Sequence, residues 1–153
     1  MSPPFSDKTQ RLYVRNAAIN DIAGIIALSR RVYEGTGMYG YTAGPLTGQI
    51  NTFPEGQFVA MLGDRVVGYC ATFRIGEDVA LAPHDWTEIT GNGYASRHDP
   101  EGEWLYGMES VWTRTAAATG LASACTMSAR TCVSRWNYRE WCLPADYPRW
   151  PNV

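Results

Sequence analysis

The residues best able to do acid–base or metal chemistry cluster in one stretch of the sequence. This stretch holds both histidines together with nearby acidic and aromatic residues, namely His84, Asp85, Trp86, Glu88, His98 and Asp99. These side chains could line a polar binding site, or they could cap a helix and lie in a solvated loop. The two histidines are 14 positions apart and no third ligand follows at metal-binding spacing, so the sequence predicts no metal site.

Cysteine and serine chemistry is not indicated by the sequence. The four cysteines, at positions 70, 125, 132 and 142, form no C-x-x-C pair, which argues against a structural zinc site. No G-x-S-x-G sequence occurs, and no cysteine has an obvious base partner for nucleophilic catalysis. Cys70 lies within a strand pattern and is expected to be a small buried apolar group.

Composition and charge limit the class of protein. With 153 residues, 18% of them charged and a net charge of −2, the chain fits a single globular domain and lacks the basic surface of a nucleic-acid binder. No apolar run approaches the roughly 20 residues that a membrane helix needs. Residues 1–10 are polar and contain proline, so we expect a disordered N-terminus without a signal core, and a cytoplasmic protein.

The first half of the chain predicts alternating strands and helices. Leu12–Asn16 has the pattern of a short strand, and Asn20 and Asp21 are candidate N-caps for the helix that follows. Gly35 and Gly37 are expected to end that helix. Its apolar residues recur at helical spacing and form one wide face: Ile22, Ile25, Ile26, Leu28, Val32 and Tyr33.

A β-hairpin and one further strand complete the predicted pattern. Two apolar, β-rich runs flank the turn at Gly63 and Asp64, which indicates a hairpin. Short helices are predicted on either side of it. The remaining predicted elements are a helix at Pro45–Thr52, strands at Gln57–Leu62 and Arg65–Ile75, a helical turn at Pro83–Thr90 and a strand at Trp104–Glu109.

This order of elements resembles the start of a GNAT N-acetyltransferase domain. The segment YVRNAAINDIAGIIALSRRVYEG is similar to the first strand and helix of that family, and QFVAMLGDRVVGYCATFRI to its second and third strands. The segment HDWTEITGNGYASRHDPEGEWLYGME resembles a bacterial subgroup often fused to, or encoded with, a carbon–nitrogen hydrolase domain. The resemblance covers residues 11–109 and predicts an α+β fold, with a mixed, mostly antiparallel sheet and flanking helices, incomplete at the C-terminus.

The resemblance implies acyl transfer from acetyl-CoA to an amine, with sites near the fourth strand. Glu109 stands where some family members place a base or a substrate-orienting carboxylate, although an ordinary strand carboxylate is the alternative. Backbone groups of Met108, Ser110 and Val111 would contact the pantetheine arm of acetyl-CoA.

Candidate acceptor-binding residues lie in two segments of the chain. Tyr39 and Tyr41 occupy a loop that often contacts the acceptor in this family, and His84 and Trp86 belong to the polar-aromatic cluster described above. For each of them the alternative is a structural role, through packing in a Tyr-rich loop or through capping and loop formation.

The residues after Glu109 do not resemble the rest of the family. Of 15 acidic residues 13 precede Ser110, and the family's phosphate loop, R/Q-x-x-G-x-G/A, occurs nowhere in the chain. In the reading frame that starts on the third base of each codon, the genetic code allows an R-x-x-R-L-G-Q-R loop followed by an amphipathic helix. We therefore expect residues 110–153 to be a frame-shifted, aberrant tail without a fifth strand; a genuine divergent or disordered tail is the alternative.

The function expected from the sequence is acyl-CoA-dependent N-acetylation, impaired because the phosphate loop is missing. The acceptor would be a small-molecule or peptide amine, and a carbon–nitrogen hydrolase domain or neighbour is a possible partner. The alternatives are a non-catalytic remnant or regulatory module of such a hydrolase protein, and a small binding protein with a novel tail. No nucleic-acid or membrane partner is expected.

Overall fold

A computed structural model describes residues 11–118 and 141–142 of the chain. Ten helices and strands are present in this part, together with short 3-10 turns at Ile19–Asp21 and Pro54–Gly56. The strands are β1 Leu12–Asn16, β2 Gln57–Leu62, β3 Arg65–Ile75, β4 Trp104–Trp112 and β5 Trp141–Cys142. The helices are α1 Ile22–Tyr33, α2 Ala43–Thr52, α3 Glu77–Leu81, α4 Trp86–Thr90 and α5 Arg114–Ala118.

The strands form one mixed sheet in the order β1-β2-β3-β4-β5. The first four strands are antiparallel to their neighbours, whereas β5 runs parallel to β4. The predicted α+β fold with a mostly antiparallel sheet and flanking helices is therefore confirmed. Two apolar cores cover the sheet, one beneath α1 and α2 and the other on the opposite face.

The end of β4 corrects two expectations. The strand was expected to end at Glu109, but it continues to Trp112. Helix α5 begins at Arg114, and the Thr113 hydroxyl accepts the amide of Ala116 at 3.1 Å. We also expected no fifth strand beside β4. This expectation is wrong, because Trp141 and Cys142 form β5 and pair with Leu105 and Tyr106 of β4. Local pairing decides strand ends, and sequence patterns place them poorly. The prediction for the remaining positions of 110–153, like that for residues 1–10, lies outside the described residues.

Helix α1 forms where the apolar spacing predicts it. Ile25 and Leu28 are fully buried against the sheet, and the other apolar residues of that face pack around them. Gly35 and Gly37 follow the helix with φ values of 75° and 79°, a left-handed conformation that glycine adopts without strain. The predicted glycine stop is thus confirmed.

The predicted side-chain cap of α1 is wrong. Asp21 occupies the N-cap position of the helix, but its carboxylate does not bond a helix amide. It accepts instead from the two terminal guanidinium nitrogens of Arg15, at 2.7 and 2.8 Å, and from the amide of Ala18. A 3-10 turn therefore precedes the helix, and the pKa of Asp21 is lowered chiefly by its hydrogen bonds to Arg15.

The short elements agree in part with the sequence. The helix predicted at Pro45–Thr52 is α2, which begins two residues earlier, and the hairpin turns at Gly63 as expected. Asp85 caps α4 by accepting from the Glu88 amide at 2.7 Å, so the helical turn predicted at Pro83–Thr90 starts at Trp86. Helix α3 was not predicted. None of the described helices is long and apolar enough to cross a membrane.

Candidate active site

A β-bulge in β4 shapes the candidate site. Gly107 pairs with Thr72 and Glu109 pairs with Ala71, so two neighbouring residues of β3 face two residues of β4 that are not neighbours. Met108 is the additional residue. Bulges bend a strand and redirect its side chains, and they are common next to active sites.

The bulge turns Glu109 toward the helices. Met108 and Val111 are three positions apart, yet both belong to the core beneath α1 and α2, which strict alternation would forbid. Glu109 is two positions from Val111 and therefore shares its face. Without the extra residue, the carboxylate would point to the opposite side of the sheet.

Glu109 is a half-buried carboxylate beside neutral tyrosines. Burial raises the pKa of Glu109 to about 7, and hydrogen bonding from the Tyr41 hydroxyl acts in the opposite direction. The hydroxyl of Tyr41 also meets that of Tyr33 at 3.3 Å, with their rings edge to face. Burial, with the Glu109 charge as a smaller cause, raises the pKa of Tyr41 well above its ordinary value, so this tyrosine stays neutral.

Helix α1 holds Tyr41 in place through one buried side chain. The Ser29 hydroxyl donates to the carbonyl of Ile26 at 2.9 Å and accepts the amide of Tyr41 at 2.8 Å. The loop between α1 and α2 is therefore fixed at the residue that contacts Glu109.

Gln49 joins three parts of the structure at the base of the site. Its amide oxygen accepts the Tyr69 hydroxyl at 2.6 Å, and its amide nitrogen donates to the carbonyl of Gly93 at 2.7 Å. Gln49 and Tyr69 are both almost completely buried. Every polar atom of the Gln49 side chain thus has a partner, and α2, β3 and the loop after α4 are tied together.

Trp86, the first residue of α4, is bonded to the bulge of β4. Its indole Nε1 donates to the carbonyl of Met108 at 3.1 Å, so the bulged residue has a side-chain partner. The Thr90 hydroxyl donates to the Trp86 carbonyl at 2.7 Å and accepts the amide of Gly93 at 2.9 Å. These bonds orient α4 and its indole relative to β4.

These groups surround a pocket of about 160 Å³, which we call the Glu109 pocket. Among the described residues that line it, Glu109 is the only one with a formal charge. The lining is Gly40, Tyr41, Thr42, Pro45, Leu46, Gln49, Trp86, Asn92, Gly93 and Glu109.

The structure brings three of the predicted site residues together and places two elsewhere. Tyr41, Trp86 and Glu109 line the same pocket. Tyr39 lies in the loop between α1 and α2, where its side chain is 94% exposed. His84 bonds through Nδ1 to the carbonyl of Ala82 at 2.8 Å and does not line the pocket.

The predicted cofactor-contacting residues, Met108, Ser110 and Val111, occupy the outer part of β4. Within the described part of the chain, β4 pairs with β5 at Leu105 and Tyr106. The side chain of Ser110 accepts the indole Nε1 of Trp112 at 2.7 Å. Backbone groups in this part of β4 are the ones that the resemblance assigns to the pantetheine arm.

His98, the second histidine of the polar cluster, makes contacts that hold a loop in place. His98 stacks on Phe53, with ring centroids 4.6 Å apart, and its Nδ1 accepts the amide of Arg74 at 3.0 Å. The amide of Asp99 donates to the carbonyl of Arg74 at 2.9 Å. Burial lowers the pKa of His98, so it stays neutral and holds its loop to β3.

Sequence reasoning did not identify Gln49, Tyr69 or Tyr33 as parts of the site. Gln49 is an ordinary residue for a short helix, and Tyr69 lies within an apolar strand. Tyr33 counted as part of the apolar face of α1. The one available signal was the spacing of Gln49, which shares a helix face with Leu46 and Ile50. A polar side chain on a face that becomes buried requires hydrogen-bond partners.

No protein-family model matches the chain. The chain is 33% identical over 100 residues to YhcX of Bacillus subtilis, named as a probable hydrolase, and the match covers 65% of the chain but 19% of that protein. It is 28% identical over 101 residues to YkwB of B. subtilis, named as an uncharacterized N-acetyltransferase, covering 65% of the chain and 45% of that protein. The chain thus spans less than half the length of either relative.

Solved structures with the same fold are GNAT-like domains. The loading GNAT-like domain of CurA from Lyngbya majuscula gives a TM-score of 0.71 at 18% identity, over 92% of this chain and 71% of that one. The GNAT-like decarboxylase GphF, in complex with isobutyryl-CoA, gives 0.65 at 22% identity, over 78% and 57%. A metagenomic aminoglycoside acetyltransferase with bound sisomicin gives 0.58 at 16% identity, over 89% and 78%.

The chain therefore has the fold of a GNAT acetyltransferase domain, and the resemblance predicted for residues 11–109 is confirmed at the level of the fold. Among the described residues, no group of three His, Cys, Asp or Glu side chains is placed to hold a metal ion.

Proposed function

We propose that this chain is an acyl-CoA-dependent N-acetyltransferase in which Glu109 is the general base. The observation that supports this proposal is the half-buried carboxylate of Glu109 on β4, which lines a pocket with Tyr41 and Trp86 and has a pKa raised to about 7 by burial. A base with a pKa near the working pH is the most effective proton acceptor, because it is ionised and still binds a proton well.

The proposed reaction uses Glu109 to prepare the acceptor amine. The Glu109 carboxylate takes a proton from the amine, and the freed lone pair attacks the thioester carbonyl of acetyl-CoA. The carbon–sulfur bond then breaks, the leaving thiolate takes up the second proton that the nitrogen sheds on forming the amide, and the acetyl group remains on nitrogen. Tyr41 positions the carboxylate, and the bulge at Met108 directs it toward the acceptor.

The residues present fit part of acetyl-CoA. The outer half of β4 is the strand segment that the resemblance assigns to the pantetheine arm, and a GNAT-like neighbour of the same fold is solved in complex with isobutyryl-CoA. The diphosphate, however, has no R/Q-x-x-G-x-G/A loop anywhere in the sequence to bind it. We therefore propose weak binding of acetyl-CoA and impaired catalysis.

A second candidate follows from the same missing loop. The chain can be a non-catalytic remnant or regulatory module of a GNAT and carbon–nitrogen hydrolase protein. The match to one fifth of a protein named as a hydrolase favours attachment to such a protein. Sequencing the gene around codon 110 would show whether the third-base frame restores the loop.

Acetyl transfer to amines distinguishes these candidates. The full chain is incubated with acetyl-CoA and a panel of amines, and N-acetyl products are quantified by mass spectrometry. We expect product formation that falls about 10²–10⁴-fold in Glu109→Gln. The matched control is Glu101→Gln, because Glu101 is exposed in the loop before β4 and outside the pocket. Equal rates in wild type and Glu109→Gln, or no product with any amine, would contradict the proposal.

A further inference from the structure

The charge of the Glu109 pocket indicates which ligands it can bind. Glu109 carries the only formal charge among the described residues that line it. The described part of the lining contains no Lys, Arg or His. The tyrosines that interact with the carboxylate, Tyr33, Tyr41 and Tyr69, stay neutral because burial raises each pKa. A cation is therefore favoured in this pocket, and a second anion has no cationic partner among the described residues that line it.

We infer that the acceptor is a compact monoamine on an uncharged apolar stem, rather than an α-amino acid or a phosphorylated amine. This inference rests on the proposed function and names its substrate class. The ammonium group lies at Glu109, and the stem lies against the rings of Tyr41 and Trp86.

The walls of the pocket fit such a stem. Tyr41, Pro45, Leu46 and Trp86 supply apolar or aromatic surface around the carboxylate. Aromatic faces also attract cations, so the two rings favour an ammonium group as well as its carbon stem. The Gln49 amide is already bonded within the protein and offers little to a polar stem.

Size sets the upper limit on the acceptor. The pocket volume is about 160 Å³. A protein cavity of about 150 Å³ is large enough to hold benzene. A branched alkylamine or a small arylalkylamine fits, whereas a polyamine or a peptide would have to leave most of its length outside.

The charge pattern excludes acceptors with an acidic group next to the amine. An α-amino acid would bring its carboxylate within a few ångströms of Glu109, in a half-buried place where charges are weakly screened. Since no cation lines the pocket among the described residues, nothing there would neutralise the second charge. The same reasoning applies to phosphate and sulfate groups.

Three probes of the same shape test the inference by binding alone. Isothermal titration of the full chain at pH 8 compares 3-methylbutylamine, its neutral isostere 3-methylbutan-1-ol, and leucine, which adds a carboxylate beside the amine. We expect the amine to bind at least tenfold more tightly than either of the others. Glu109→Gln should remove the difference between amine and alcohol, and Glu101→Gln should keep it.

Each outcome decides the inference separately from the proposed function. Leucine binding as tightly as the amine, equal binding of amine and alcohol, or no binding of any probe would overturn it. The comparison within wild type remains decisive even if Glu109→Gln does not fold, which far-UV circular dichroism would reveal. Selective amine binding without N-acetyl product would refute the proposed function and leave the pocket assignment standing, whereas faster acetylation of leucine would do the reverse.

Discussion

The indole nitrogen of Trp86 donates a hydrogen bond to the carbonyl of Met108, the additional residue of the β4 bulge, at 3.1 Å. Helix α4 and the bulge are thereby joined at the point where β4 turns Glu109 toward the helices. The geometry of the candidate base thus depends on a residue 23 positions earlier in the chain.

Removing this bond should loosen the bulge. Trp86→Phe keeps an aromatic ring but leaves the Met108 carbonyl without its donor, so we expect a loss of about 1–3 kcal/mol in the free energy of unfolding. Urea denaturation measures the loss. We also expect the rate of acetyl transfer to fall, because Glu109 is less well positioned.

Trp104→Phe is the matched control for that substitution. The Trp104 indole nitrogen is buried and has no hydrogen-bond partner among the described residues, so no bond is lost there. A fall in the rate of acetyl transfer in Trp104→Phe but not in Trp86→Phe would be inconsistent with the assigned role of the Trp86 indole.

Tyr41 should set the pKa of Glu109. Its hydrogen bond favours the ionised carboxylate, so Tyr41→Phe should raise the pKa of Glu109 above its value of about 7. Activity that depends on the ionised base would then begin at higher pH. A pH–rate profile measures the shift; Tyr39→Phe, at a fully exposed neighbouring tyrosine, should leave the profile unchanged. A shift to lower pH in Tyr41→Phe would contradict the hydrogen-bond assignment.

Glu109 should lower stability at alkaline pH. Its pKa in the folded protein, about 7, lies above the ordinary value of 4.5, so between these values the folded state holds a proton that the unfolded state has lost. The contribution of this group to stability is therefore fully present below pH 4.5 and is lost as pH rises through 7. The difference corresponds to about 3 kcal/mol.

The variant Glu109→Gln isolates that contribution, because it removes the charge and keeps the shape. We expect it to be more stable than wild type at pH 8 by up to about 3 kcal/mol, with the difference vanishing near pH 4. Thermal unfolding at both pH values, with Glu101→Gln as control, measures this. Greater stability of wild type at pH 8 would show that the carboxylate is not desolvated.

The base of the pocket should depend on a coupled pair. Gln49→Leu leaves the Tyr69 hydroxyl and the Gly93 carbonyl unsatisfied in a buried place, at a cost of about 1–3 kcal/mol each. Adding Tyr69→Phe removes the orphaned hydroxyl, so the double variant should lose less than the sum of the single losses. Strict additivity in urea denaturation would mean that the two side chains do not interact as described.

The sequence predicted the elements whose residue patterns are local. The apolar spacing of α1, its glycine stop and the β2–β3 hairpin each depend on neighbouring residues, and all three are present. Asp21 was misassigned as a cap because its better partner, the Arg15 guanidinium, lies on the preceding strand. The two-residue β5 was not expected, since its pairing with β4 has no local signal.

The sequence identified residues that are chemically suited to the candidate site, but it did not show which of them meet in the folded chain. Tyr41, Trp86 and Glu109 were identified as candidates, yet His84 and Tyr39 were equally plausible and do not line the pocket. The bulge that decides where Glu109 points follows from the register between β3 and β4, which side-chain alternation alone does not reveal. Gln49 and Tyr69 are 20 positions apart and meet only in the folded chain.

The most direct test of the central claim is a carboxyl-carbon NMR titration of Glu109 in the full chain, with its signal assigned by its absence in Glu109→Gln. A half-buried carboxylate beside neutral tyrosines should titrate with a midpoint near pH 7. A midpoint near the ordinary value of 4.5 would show that Glu109 is solvated, and would contradict its role as a general base.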